Sequence, residues 1–247
     1  MRIDGRTVLV TGGSRGIGLE LARTLAERGA RVAVCSRGER APAALEAFGE
    51  RARHFTCDLS KPDEVMALAD RVRDEFGAPG VLINNAGVQF NHDWAGTDAE
   101  DRARWARTEL TVNLLAPTLL TSLFLDDLRR HDPGVVVNVT SLLALAPKRS
   151  APVYSASKAG LRSLTRALRG QLAGEESVRF VEVVPPLVDT AMTAGRGSGK
   201  MDPAEVARRI VEGLEAERTA IRIGFARVMH GLWIVTPGLA GALLERG

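Results

Sequence analysis

The chain has 247 residues, of which 45% are hydrophobic and 26% charged, and 33 basic against 30 acidic side chains leave a net charge of +3. This is the composition of an ordinary soluble globular protein, long enough for one α/β domain with a large core. It excludes a nucleic-acid partner, because the net charge is small and no stretch clusters arginines with aromatics.

Residues 6–11 read as a short apolar strand. Thr11-Gly12-Gly13-Ser14-Arg15-Gly16-Ile17-Gly18 follows and opens a helix that Gly29 stops. A second strand, 31–35, ends at Ser36-Arg37, and a helix rich in Ala, Leu and Glu runs to about residue 49. The third strand, 52–56, ends at Cys57-Asp58-Leu59-Ser60, and Pro62 begins a helix to about residue 76. The fourth, 81–83, runs into Asn84-Asn85-Ala86-Gly87. A more polar segment holding Trp94 and Trp105 precedes a long helix, about 107–130, that carries Asn113. The fifth strand, 135–139, ends at Thr140-Ser141, and the next helix, with Tyr154 and Lys158, reaches about residue 172. The sixth, 178–184, ends at Pro185-Pro186. A loop rich in Gly and Ser, 193–200, leads to a helix opened by Asp202-Pro203, then a last strand, 220–224, and an apolar tail.

Apolar, non-alternating strands separated by helices predict a parallel sheet covered on both faces. No repeat or linker divides the chain, so 1–247 is expected to form a single doubly wound domain of about seven strands. Cys35 and Cys57 make no disulfide framework and no signal peptide precedes the first strand, which predicts a reduced, cytoplasmic protein with free thiols. The four histidines lack metal-ligand spacing, and no metal is expected.

Two stretches carry chemistry. A strand, a glycine-rich turn and a helix N-terminus make a pyrophosphate cradle, here with glycines 12, 16 and 18 spaced G-x-x-x-G-x-G. Tyr154, the only tyrosine, lies one helical turn from Lys158, so a fixed cation is expected to draw the phenol pKa down toward useful acid–base range. A surface helix with a solvated lysine has the same spacing, and the pair alone is a weak signal. Lys158 is nevertheless one of only four lysines in an arginine-rich chain, consistent with a role arginine does not fill.

Thr11-Gly12, Gly16, Gly18, Asn84-Asn85-Ala86-Gly87, Asn113, Ser141 and Tyr154 with Lys158 together resemble the signature set of the short-chain dehydrogenase/reductase family, in order and spacing over nearly the whole chain. The resemblance implies a Rossmann fold and an oxidoreductase that exchanges a hydride between a nicotinamide cofactor and a carbonyl or alcohol. It implies Tyr154 as general acid and base, Ser141 as the group that holds and polarises the substrate oxygen, and Lys158 as the ligand of the nicotinamide ribose. Asn113 would position a water that relays protons to Lys158. Gly12, Ser14, Arg15, Gly16, Ile17 and Gly18 would cradle the pyrophosphate, Asp58 and Leu59 border the adenine, Asn85, Ala86 and Gly87 lie under the adenosine ribose, and Val188 and Thr190 touch the carboxamide.

The end of strand two decides the cofactor. An acid there would repel a 2′-phosphate, whereas this chain has Ser36-Arg37, with Arg15 in the glycine loop. Guanidinium groups suit a phosphomonoester, so NADP(H) is expected over NAD(H). Substrate-pocket candidates are Gln89, Phe90, Leu142, Leu143, Leu187 and Met192, with Val88 and Pro147, and a lid spans about 187–203; the expected substrate is a small, largely apolar carbonyl compound. His92, Lys148 and Arg149 are further polar neighbours. One departure stands out: the family usually has Pro-Gly after strand six, and Pro185-Pro186-Leu187-Val188-Asp189-Thr190, with Ile223-Gly224 and the tail that follows, is similar to the DltE-like branch. Rival readings are an imine reductase or reductive cyclase on the same scaffold, and a non-catalytic NADP(H)-binding protein; the complete Asn/Ser/Tyr/Lys set argues against the last. The tail, 228–244, has no Lys or Arg beyond residue 228 and is broken by Pro237-Gly238, so it predicts a homodimer or homotetramer interface with Trp233 largely buried rather than membrane contact.

Overall fold

The seven apolar runs become the strands of one parallel sheet in a computed structural model of the chain, which describes residues 1–39, 41–174 and 178–236. They are β1 (Thr7–Thr11), β2 (Arg31–Ser36), β3 (Ala52–Thr56), β4 (Val81–Asn84), β5 (Gly134–Val139), β6 (Val178–Val184) and β7 (Ala220–Arg222), ordered β3-β2-β1-β4-β5-β6-β7. The chain winds outward from β1 to β3, returns to β4 beside β1, and winds the other way. The winding reverses between β1 and β4, where Val8, Leu9 and Val10 pair with Val81, Leu82 and Ile83. Open α/β sheets bind ligands at the carboxyl ends of the strands beside such a reversal.

Strand side chains alternate between two cores. Val8 and Val10 enter one core with Leu21 and Leu25 of α1 (Gly16–Glu27) and with Val206, Ile210 and Leu214 of α7 (Pro203–Glu215). Leu9 enters the other with Leu68 and Val72 of α3 (Pro62–Phe76) and with Leu120, Phe124 and Leu128 of α5 (Ala116–Arg129). Each fully buried Leu or Phe contributes about 1.5–3 kcal/mol, and the central strands β1, β4 and β5 read as continuous apolar runs because both of their faces are covered.

Two helices depart from the predicted boundaries. After β2, α2 is only Ala43–Glu46, shorter than the helix predicted to about residue 49, and a single tight turn, Gly49–Arg51, follows where that helix was expected to end. The long helix expected from 107 begins earlier, as α4 (Ala99–Leu110). Its first half is polar because it is mostly exposed, and its start is capped by Asp98, whose side chain accepts from the Asp101 N–H at 3.0 Å. One wider π turn, Thr111–Leu115, joins α4 to α5 and keeps Asn113 fully buried. The helix that carries Tyr154 and Lys158, α6, is Pro152–Gln171. A buried polar ladder ties α6 to the sheet: Asn84 Nδ2 donates to Asn138 Oδ1 (2.8 Å), and Asn138 Nδ2 donates to Thr165 Oγ1 (2.8 Å).

After β7 the tail forms α8 (Phe225–Val235). Trp233 is half-buried rather than largely buried in the single chain, packing with Leu232 on a small cluster of Leu142, Leu145, Val184, Ala226 and Met229. Phe225, Val228, Ile234 and Val235 face outward. The predicted break at Pro237-Gly238 and the end of the tail lie outside the described residues.

Candidate active site

A cleft of about 920 Å³ opens at the carboxyl ends of β1, β2, β4, β5 and β6. Its first wall is the glycine loop. Gly12 and Gly16 adopt φ of +68° and +55°, conformations that side chains disfavour. Gly18 is needed for a different reason: a Cβ there would meet the Gly12 carbonyl oxygen at 2.2 Å and Asn85 Nδ2 at 2.5 Å. Gly13, which the sequence reading passed over, is a packing glycine, since a Cβ would strike Val34 at 2.5 Å. The loop is pinned from the neighbouring strand. Asn85 Nδ2 donates to the Thr11 carbonyl (2.9 Å), and Thr11 Oγ1 accepts from the Asn85 and Ala86 N–H groups, each at 3.0 Å. The α1 N-terminus that the loop presents has no side-chain cap and no acid in its first turn, so its N–H groups and dipole remain available to an anion.

Further along the cleft are Ser36, Arg37, Asp58 and Leu59, with Cys35 and Cys57 beneath them. No carboxylate ends β2. Ser36 Oγ is hydrogen-bonded to His54 Nε2 at 2.8 Å. Burial alone would raise the Asp58 pKa, but hydrogen bonds from Ser60 and the charges of Arg37 and Lys61 hold it below the usual value. Cys35 and Cys57 are free and buried, and burial pushes both thiols up to about 12.

The opposite end holds Ser141, Tyr154 and Lys158. Tyr154 is 8% exposed and Lys158 3%. Lys158 Nζ lies 5.9 Å from the Tyr154 ring centre and donates to the Val139 carbonyl at 2.8 Å. The sequence predicts that this cation lowers the phenol pKa, and here the structure differs. Burial dominates and pushes Tyr154 up to about 12; a hydrogen bond with Ser141 and the charge of Arg196 act downward, and the charge of Glu109 acts upward. Burial also brings Lys158 down to about 8.

Asn113 does not line the cleft but braces its wall. Its Nδ2 donates to the Val88 carbonyl (2.9 Å) and to Ser157 Oγ (3.0 Å), while its Oδ1 accepts from the Val88 N–H (2.9 Å). Gly87 packs against this group: a Cβ would sit 3.4 Å from Asn113 Oδ1 and 3.5 Å from Lys158 Nζ.

All the residues assigned to the cofactor by resemblance line this one cleft: Gly12, Ser14, Arg15, Gly16, Ile17, Gly18, Ser36, Arg37, Asp58, Leu59, Asn85, Ala86, Gly87, Tyr154, Lys158, Val188 and Thr190. Of the substrate candidates, Gln89, Leu142, Leu143, Leu187 and Met192 line it, as do Val88 and Lys148. Phe90 does not. Successive side chains of an extended segment point opposite ways, and Phe90 stacks on Trp105 instead, ring centres 5.6 Å apart. His92 likewise packs between Trp94 and Trp105. Pro147 and Arg149 are exposed away from the lining.

The lid segment is anchored at its base. Asp189 N–H donates to the Met201 carbonyl and Met201 N–H to the Leu187 carbonyl, both at 2.9 Å, and Lys200 Nζ reaches the Thr193 carbonyl at 2.7 Å. Above this base Gly195, Gly197 and Gly199 all have positive φ, and between them Arg196 lines the cleft. Arg196, Phe225 and the buried Glu109 are the neighbours of the site that the sequence reading missed. For Glu109 a signal was present: an acid on the apolar side of a helix, one turn before Asn113.

A parallel sheet with a glycine-rich first turn, and a buried Tyr154 and Lys158 beside a half-buried Ser141 at the far end of the same cleft, are features of a class of oxidoreductases. The family model described as short chain dehydrogenase matches residues 6–200, and the chain belongs to that family, whose members act on CH–OH and C=O groups. It is similar to an uncharacterized oxidoreductase, DltE, of Bacillus subtilis, with 38% identity over 78% of this chain and 75% of that protein. It is also similar to the ketoacyl reductase HetN of a Nostoc species, at 34% identity over 89% of this chain and 78% of that one. A short chain dehydrogenase from Burkholderia cenocepacia, solved in complex with NADP, matches with a TM-score of 0.85 and 28% identity over 99% of both chains.

Proposed function

We propose that the protein is an NADP(H)-preferring reductase of a small, largely apolar carbonyl compound, working also in the alcohol-oxidising direction. One observation carries this reading: a single cleft runs from an acid-free β2 end with Arg37 to a buried Tyr154, with Ser141 and Lys158 beside it. The residues fit the cofactor, since the α1 N-terminus is uncapped and the close packing at Gly12 and Gly18 leaves backbone rather than side chains on that wall. When bound, the nicotinamide supplies the hydride.

The chain's own groups supply the rest. Ser141 and Tyr154 line the same end of the cleft, and their two O–H groups stabilise negative charge growing on a carbonyl oxygen. Tyr154 Oη then gives up its proton. Its raised pKa keeps the phenol protonated through neutral pH, as a general acid requires. Lys158, at the foot of the same wall, binds the nicotinamide ribose. The Val139 carbonyl, which accepts from Lys158 Nζ at 2.8 Å, fixes its position. Leu142, Leu143, Leu187 and Met192 give the substrate an apolar seat, and Lys148 and Arg196 place positive charge at its edge.

The test is NADPH consumption across a panel of neutral ketones, oxo acids, imines and enones. Turnover of ketones or oxo acids is expected. Turnover confined to imines would replace the carbonyl reading, and tight NADPH binding with no turnover of any kind would leave a binding protein. Cofactor choice is tested separately by fluorescence titration. Wild type is expected to bind NADPH at least tenfold more tightly than NADH, about 1.4 kcal/mol, and Arg37→Asp to erase or reverse that preference. A wild type that prefers NADH sinks the arginine argument.

The expected homodimer or homotetramer belongs to the same reading. It is supported by the apolar face of α8, with Phe225, Val228, Ile234 and Val235 outward, and light scattering decides it.

A further inference from the structure

Glu109 is fully buried, with one carboxylate oxygen engaged and the other not. Its Oε1 accepts from the Phe90 N–H at 2.8 Å, and Oε2 is buried without a hydrogen-bonding partner. Burying a charged oxygen unpaired is costly, and an apolar residue would serve a purely structural purpose better. The position is specific as well. Trp105, Glu109 and Asn113 follow one another at one-turn intervals, and each takes hold of the same segment: Trp105 stacks on Phe90, Glu109 binds the Phe90 N–H, and Asn113 binds Val88 at both N–H and C=O. That segment carries Val88 and Gln89 into the cleft. The same helix is tied to the Tyr154 turn, because Asn113 donates to Ser157 Oγ, which in turn donates to the Tyr154 carbonyl at 2.7 Å.

We propose that Glu109 is a positioning residue of the reaction, which fixes the substrate-facing segment at Phe90 and sets from behind it the charge that Tyr154 feels. The charged and hydrogen-bonding groups acting on the phenol come from four elements: Lys158 on its own helix, Ser141 after β5, Arg196 in the lid and Glu109 on α4. Arg196 and Glu109 act on it in opposite directions, the first favouring the phenolate and the second the phenol. Burial raises the pKa of Glu109 itself, so its charge, and with it the support for the phenol, is lost as pH falls through that value. The proposal rests on the reading of Tyr154 as proton donor.

Its test does not depend on turnover. Tyr154 is the only tyrosine of the chain, so labelled tyrosine gives a single resonance whose ionisation is followed directly. Glu109→Gln keeps an oxygen for the Phe90 N–H and removes the charge. Its phenolate is expected at a pH lower by about one unit, a tenfold change in proton affinity. The pH midpoints of reduction and oxidation should move the same way. Glu109→Ala should shift the ionisation similarly and also speed amide exchange of the 88–90 segment, which Glu109→Gln should leave slow. Circular dichroism at each pH confines the comparison to folded protein, and Glu109→Met replaces any variant that does not fold. Equal ionisation behaviour of wild type and Glu109→Gln, including none in either up to alkaline unfolding, overturns the proposal, as does unchanged exchange in Glu109→Ala. An active Tyr154→Phe variant would instead sink the reading of Tyr154 and leave the ionisation result standing.

Discussion

Tyr154→Phe is expected to slow NADPH-dependent carbonyl reduction by on the order of 10³-fold, the range that one general acid contributes, while NADPH affinity stays close to that of wild type. The reason is local. Tyr154 is 8% exposed and lines the cleft together with Ser141, whose hydroxyl acts to lower the phenol pKa. Phenylalanine keeps the ring that Lys158 packs beside and removes only the proton donor. No other phenol exists in the chain to replace it. Steady-state rates with a reducible carbonyl, alongside a fluorescence titration of NADPH, separate the two quantities. Near-normal turnover in the variant would show that the proton comes from elsewhere; a large loss of NADPH affinity would move Tyr154 from chemistry to binding.

The second large effect is expected at Gly18, on the opposite wall. Gly18→Ala places a methyl 2.2 Å from the Gly12 carbonyl oxygen and 2.5 Å from Asn85 Nδ2, both shorter than any real carbon contact. Neither neighbour gives way cheaply: one is backbone, and the other is the amide that holds the Thr11 carbonyl at 2.9 Å. The first turn of α1 must therefore shift off the loop. Overpacking of this kind costs about 1–3 kcal/mol, and displacement of the anion-facing N–H groups should weaken NADPH binding at least tenfold. Gly170→Ala is the matched control. It lies on α6 with nothing within 4 Å of the added methyl, and helix propensity alone should stabilise it by up to about 1 kcal/mol. Thermal melts and NADPH titrations of both variants check the pair; a Gly18→Ala protein that binds NADPH as tightly as wild type contradicts the packing argument.

Much of this molecule is legible in the sequence because its central strands are buried on both faces. The third and sixth strands come out with the bounds read for them, and Pro62 and Asp202-Pro203 mark two helix starts correctly. Failures occur where burial and polarity part company. The start of α4 is polar because it is exposed, and the Asp98 cap that announces it lies among other acids. In the site, spacing brings Tyr154 and Lys158 onto one face, yet spacing says nothing about the depth at which that face lies. Depth reverses the expected pKa: a buried phenol is raised more than its neighbours lower it. Phe90 was misplaced because its apolar side chain suits either face of the segment, and only the indole of Trp105 decides between them. Glu109 and Arg196 approach Tyr154 from distant parts of the chain, and no local pattern marks that convergence.

The two thiols under the Ser36 and Asp58 end of the cleft give the molecule a built-in clock. Cys35 and Cys57 are sealed beneath the loops after β2 and β3 and held as unreactive thiols at neutral pH. An alkylating reagent therefore modifies them only during moments when that corner of the sheet comes apart. The rate of modification counts those openings one molecule at a time, and a dinucleotide held there as proposed would slow the count as its occupancy rises.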